Sequence, residues 1–169
     1  MSRYGEPDIL FPATDAHAGG GQSLQRILVP VGPDGQADRA LALAAQFSAG
    51  VGGQLRLVHV RMWDPPLKGT GRFYPETSLQ ATEVLENALT SAWAYGVPAS
   101  GVVVDAVRSR VAYAIATEAH AWRAEVMVVT RRRRRAVGVL LFGSLSNRLM
   151  REAACPVLVV HQEGQKVSH

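Results

Sequence analysis

Short apolar runs alternate along this chain with longer segments whose apolar residues recur every three or four positions. RILVPV (26–31), LRLVHV (55–60), VVVDAV (102–107), EVMVVT (125–130) and PVLVVH (156–161) are brief, rich in valine and mostly uniform in hydrophobicity. That is the pattern of strands covered on both faces. Between them, DRALALAAQFSAG (38–50) sets Leu41, Ala44, Ala45 and Ser48 at helical spacing and runs into glycines. TSLQATEVLENALTSAWAYG (77–96) puts Ala81, Val84, Leu85, Ala88, Ala92 and Tyr95 on one face. Glu83, Glu86 and Asn87 fall off that face, and Gly96 stands where a C-terminal cap belongs. A further helix over about 110–122 uses Val111, Ile115, Ala119 and Trp122, and another is predicted near 145–154. The stretch WDPPLKGTGRFYP (63–75) fits neither period and reads as loop.

Strands alternating with helices in this way predict an α/β fold: a doubly wound, five-stranded parallel sheet covered by helices on both faces. If the strand order is 3-2-1-4-5, that order reverses between strands 1 and 4, and a ligand crevice opens outside their carboxyl ends. The loops GPDGQ (32–36) and RRRRRAVGVLLFG (131–143) would line it. Residues 1–24 lack periodicity and run into the Gly-rich AHAGGGQS, so they read as a flexible tail. The domain then spans 25–161, with a short tail at 162–169 and no internal repeat.

A length of 169 residues, 47% of them hydrophobic, suits one domain with a sizeable core. No run approaches the roughly 20 apolar residues that cross a bilayer, and the acids and prolines near the N-terminus do not suit a signal peptide. A soluble, cytoplasmic protein without a membrane partner is expected. The single cysteine, Cys155, excludes an intramolecular disulfide and reads as a small buried apolar side chain. Net charge is +4, yet residues 1–24 sum to −2 and residues 162–169 to zero, which leaves +6 in the middle. Arg131 to Arg135 supply five of those charges, so the basic character is local.

Little in the sequence supports catalysis. His17, His59, His120, His161 and His169 are scattered, with His59 and His161 inside predicted strands. Glu118 and His120 are two apart and do not share a helix face. No nucleophile triad, paired carboxylates or metal-ligand spacing is present, so no catalytic residue and no metal are expected. GSLSNRLM is different: Ser144 is a good helix N-cap, and the amides and dipole of a helix start attract anions. The alternative is that Ser144 only caps its own helix.

RILVPV at the start of the domain, LVHV, EVMVV and above all FGSLSNRLMREAACPVLVV resemble the universal stress protein family across residues 25–161. The resemblance implies a flavodoxin- or Rossmann-like three-layer sandwich, usually dimeric, with a stress-linked regulatory role. Some members bind ATP through Gly-x2-Gly-x9-Gly-Ser/Thr after strand 4 and an aspartate after strand 1. The matching positions here form a degenerate crevice: Pro30, Gly32, Thr130, Arg133, Gly143, Ser144, Leu145 and Ser146. Gly143-Ser144 and Pro30 are intact, but Thr130 and Arg133 replace the two leading glycines and Gly32 stands where the aspartate would be. Glycine lets amides approach a phosphate closely, threonine is β-branched, and arginine fills the space with its own side chain. A lost bond to a carboxylate removes about 1.5–3 kcal/mol. No tightly held cofactor is therefore expected, ATP included.

The arginines admit three readings: a solvated loop that meets an acidic protein partner, a guanidinium cradle for a phosphorylated small molecule, or a nucleic-acid grip. The last lacks interleaved aromatics and a recognition helix, which speaks against nucleic acid. The strand 156–161 is too apolar for an open edge, so a homodimer through it is expected, the alternative being a tail folded over it.

Overall fold

The computed structural model describes residues 24–33, 35, 37–131 and 144–161. Its elements follow the predicted alternation: β1 Arg26–Val31, α1 Asp38–Val51, β2 Gln54–Trp63, α2 Ser78–Ala94, β3 Ala99–Val107, α3 Val111–Ala121, β4 Val126–Arg131, α4 Ser144–Glu152 and β5 Val157–His161. A 3-10 turn, Arg108–Arg110, leads into α3. All strand pairings are parallel, in the order β3-β2-β1-β4-β5.

Strand alternation divides the core into two layers. Ile27, Val29, Leu55, Leu57, Val126 and Val128 pack with Ala40, Leu41, Ala44 and Ala45 of α1 and Leu85 and Ala92 of α2. Leu28, Val58, Val60, Met127 and Val129 turn to the other side, against Ala112, Ile115 and Ala119 of α3 and Leu149 of α4. Fully burying each large side chain contributes about 1.5–3 kcal/mol, so β1 and β4, apolar on both faces, tie the layers together.

The helix signals hold in detail. Leu41, Ala44, Ala45 and Ser48 are all buried in α1. Thr77 caps α2, accepting from the Gln80 amide while the Gln80 side chain accepts from the Thr77 amide, a reciprocal pair that the sequence reading passed over. Gly96 follows α2 with φ +72°, as its place at the helix end requires. Two details differ from expectation. Tyr95 is 49% exposed, because the helix ends before its side chain can turn inward. β2 and β3 begin earlier than predicted and pair over their full shared length, from Leu55 with Ala99 to Trp63 with Val107.

Gly53 is where the chain passes closest to itself. A Cβ there would lie 2.8 Å from the Gln25 carbonyl oxygen and 2.9 Å from Ser48 Oγ. Backbone cannot yield as a side-chain tip can, so Gly53→Ala is expected to destabilise the protein by about 1–3 kcal/mol, read as a lower urea midpoint with unchanged slope.

Candidate functional site

The sheet parts at its carboxyl end, between its two central strands. β1 pairs with β4 only at Ile27–Val126 and Leu28–Met127, although β1 continues to Val31 and β4 to Arg131. The two strands therefore part at the strand-order reversal, where the crevice is expected. Pro30, Gly32 and Thr130 stand half-buried around it. Ser144 is the first residue of α4 rather than a residue ahead of it, Ser146 is turned inward and 5% exposed, and Leu145 points outward. Arg133 and Gly143 lie outside the described residues.

Gly32 also lines a second hollow, a shallow cleft of about 170 Å³ between α1 and α2 that includes Val31, Pro33, Asp38, Leu41 and Asn87. No carboxylate occupies position 32, where the nucleotide-binding pattern has one.

The walls of the crevice are held by polar clamps that sequence reasoning missed. His59, 4% exposed, places Nδ1 at 3.0 Å from the Val31 carbonyl oxygen and Nε2 at 2.9 and 3.1 Å from the Glu76 carboxylate oxygens. The Val31 carbonyl can only accept, so Nδ1–H donates to it and Nε2 faces the Glu76 carboxylate. The end of β1 is thereby tied, through β2, to the residue before the cap of α2. Arg56, also buried, donates to Glu118 through Nε (3.1 Å) and Nη2 (3.0 Å) and to Ser100 through Nη1 (3.1 Å), binding β2 to α3 and β3. The only sequence trace of these pairs is a charged or imidazole residue inside an otherwise apolar strand.

Further out, Arg61 grips both oxygens of Asp105 at 2.7 Å, donates to Ser78 and lies over the Tyr74 ring. Arg108 holds Asp64 at 2.8–3.1 Å. The guanidinium bonds hold the carboxyls of Asp105 and Asp64 below their ordinary range, and Asp64 in turn raises Arg108. Cys155 is half-buried against the α3/α4 layer, and burial pushes its thiol up, as suits a packing residue. Among the described residues, no group of three His, Cys, Asp or Glu side chains is arranged to hold a metal ion. No helix among them is long and apolar enough to cross a membrane.

A sequence model of the universal stress protein family matches residues 23–161. The chain belongs to that family. It is 33% identical over 135 residues to a universal stress protein of Thermus aquaticus, covering 79% of this chain and 96% of the relative. The universal stress protein of Archaeoglobus fulgidus superposes with a TM-score of 0.62 at 26% identity, covering 80% of this chain and 92% of its own. The structure of an Archaeoglobus fulgidus universal stress protein in complex with dAMP gives 0.61 at 24% identity, with 82% and 98% covered. Proteins of the family commonly form homodimers.

Because the Asp105 carboxyl is held low, its contribution to stability is complete above the ordinary carboxylate range and is lost as pH falls through the folded-state value. Unfolding free energies of wild type and Asp105→Asn, measured from neutral to acid pH, should differ at neutral pH and converge in acid.

Proposed function

We propose that this family member is a non-catalytic stress-response regulator whose crevice does not hold ATP tightly. The observation that carries the reading is Thr130. It is a β-branched residue, half-buried at the end of β4 where the sheet parts, in the place that the nucleotide-binding pattern gives to a glycine. Threonine adds a branched side chain where an amide would approach phosphate, and it resists the backbone freedom that glycine supplies. Gly32 adds a second loss, and Arg133 a third at the level of sequence. Each tenfold loss of affinity corresponds to 1.4 kcal/mol, so three such changes move a micromolar site into the millimolar range.

A second reading keeps a phosphorylated ligand but weakens its grip. Ser146, buried at the first turn of α4, supports it, because a hydroxyl there and the helix amides form an anion-binding start, with the arginine run and Gly143-Ser144 as added donors. The dAMP complex of the Archaeoglobus fulgidus protein shows that this fold accommodates a nucleotide in that protein.

Thermal unfolding with ATP, AMP and inorganic polyphosphate separates the two. Under the first reading purified protein carries no adenine nucleotide, and about 1 mM ATP stabilises it by no more than roughly 0.4 kcal/mol, the value for a dissociation constant near that concentration. The double variant Thr130→Gly/Arg133→Gly should then bind ATP at least about tenfold more tightly, following the loss assigned to the two side chains. Stoichiometric ATP in the wild-type protein would overturn the first reading; stabilisation by polyphosphate and ATP alike, abolished by Arg133→Gly, would establish the second.

We also infer that the chain dimerises through β5. Among the described residues that strand pairs only with β4, and Leu158 remains 38% exposed on it. An apolar edge of this kind is closed by pairing with its twin. Light scattering at tens of micromolar should give a dimer for wild type and a monomer for Leu158→Asp.

A further inference from the structure

The carboxyl end of the sheet carries a basic rim on the far side of β2 from β1. Asp64 and Phe73 exchange backbone bonds of 2.9 and 3.0 Å and close the 64–73 loop. Arg108 is bonded to Asp64 and reaches Met62 Sδ at 3.9 Å. Next to it the Ser109 carbonyl accepts from Arg148 Nη1 at 2.8 Å, which joins α4 to the same surface. Arg72 lies over the Trp63 ring at 4.8 Å and Arg110 over the Tyr113 ring at 5.7 Å. The nearby carboxylates already have partners: Asp64 with Arg108, Asp105 with Arg61, and Glu76 with His59. Lys68, Arg72, Arg110 and Arg148 are exposed and make no ion pair among the described residues. Leu67 is fully exposed and Phe73 63% exposed on the same loop. Unpaired cations beside bare apolar side chains fit a ligand that offers carboxylates and apolar groups together. Arg72 covers a face of Trp63, which reduces the stacking surface that a nucleic-acid strand would use.

We propose that this rim docks the chain's own amino-terminal segment Glu6-Pro7-Asp8-Ile9-Leu10-Phe11. The composition is complementary: residues 1–24 carry Glu6, Asp8 and Asp15 against Arg3 alone, and Asp8 runs directly into three large apolar residues. The reach is sufficient. Residues 9–23 separate Asp8 from Leu24 and span at most roughly 50 Å when extended. From Gln54, level with Arg26, to Trp63 is roughly 30 Å along β2 at strand rise. Asp15, with only residues 16–23 to bridge the distance, covers about the strand alone and falls short of the loop beyond it. Glu6 and Asp8 therefore meet the rim, and Asp15 does not. The arginine run after Arg131 carries no part of this proposal.

Lys68 makes the contact directly testable. Carbodiimide treatment of the full chain at low ionic strength joins an amine to a carboxylate only where the two touch. After tryptic digestion, mass spectrometry should find residues 4–26 joined to residues 62–72 through Lys68, with the link on Glu6 or Asp8. Its yield should be independent of protein concentration, fall at least about fivefold in roughly 0.5 M salt as charges are screened, and fall similarly in Arg72→Ser/Arg110→Ser. Both of those side chains are exposed, so the fold should survive, and circular dichroism verifies it. Absence of the link, a link confined to Asp15, or a yield that grows with protein concentration would overturn the proposal, the last by placing the segment on a neighbouring chain. A link unaffected by the double variant would also overturn it.

Discussion

Everything in this molecule depends on two central strands being apolar on both faces and yet paired for only part of their length. Ile27, Val29, Val126 and Val128 anchor one helical layer and Leu28, Met127 and Val129 the other, so β1 and β4 cannot be loosened without opening both halves of the core. Their mutual pairing nevertheless stops at Leu28–Met127, because β1 is followed by a connection to one side of the sheet and β4 by a connection to the other. The crevice is a consequence of topology, present whatever side chains line it.

That separation between fold and site accounts for how a family member can lose part of a nucleotide motif without losing its structure. Positions 32 and 130 lie past the last residues through which β1 and β4 pair with each other, and neither belongs to the two buried clusters. A glycine in place of an acid, or a threonine in place of a glycine, at those positions leaves the packing of Leu28 against Met127 untouched. The polar clamps do the complementary work. His59, Arg56 and Arg61 tie β2 to Glu76, Glu118 and Asp105, so the strand beside β1 is held from both faces by charge-assisted bonds.

The fold was legible because each of its signals is local. Valine-rich runs, alanine stripes at helical spacing and Gly96 after α2 report directly on backbone period and termination, and handedness favours a doubly wound sheet once the alternation is seen. The family resemblance then located Pro30, Gly32, Thr130, Ser144 and Ser146, and the structure brings the described ones to the same end of the sheet. The clamps were not legible. Arg56 meets Glu118 across 62 positions and Arg61 meets Asp105 across 44, and nothing in the spacing of charges along a chain reveals such pairs. His59 falls inside a predicted strand, which places it in the sheet but does not reveal its bond to Glu76.

Charge around the sheet is thus of two kinds. Arg56 and Arg61 are enclosed by the fold and each has a carboxylate in contact, so they stabilise structure and offer little to a ligand. Lys68, Arg72, Arg110 and Arg148 stand outside those pairs, and two of them are steadied on aromatic rings instead. A guanidinium resting on a ring keeps its N–H edges pointing outward and loses less side-chain entropy on binding than a free one. A surface built in this way suits association with an acidic segment.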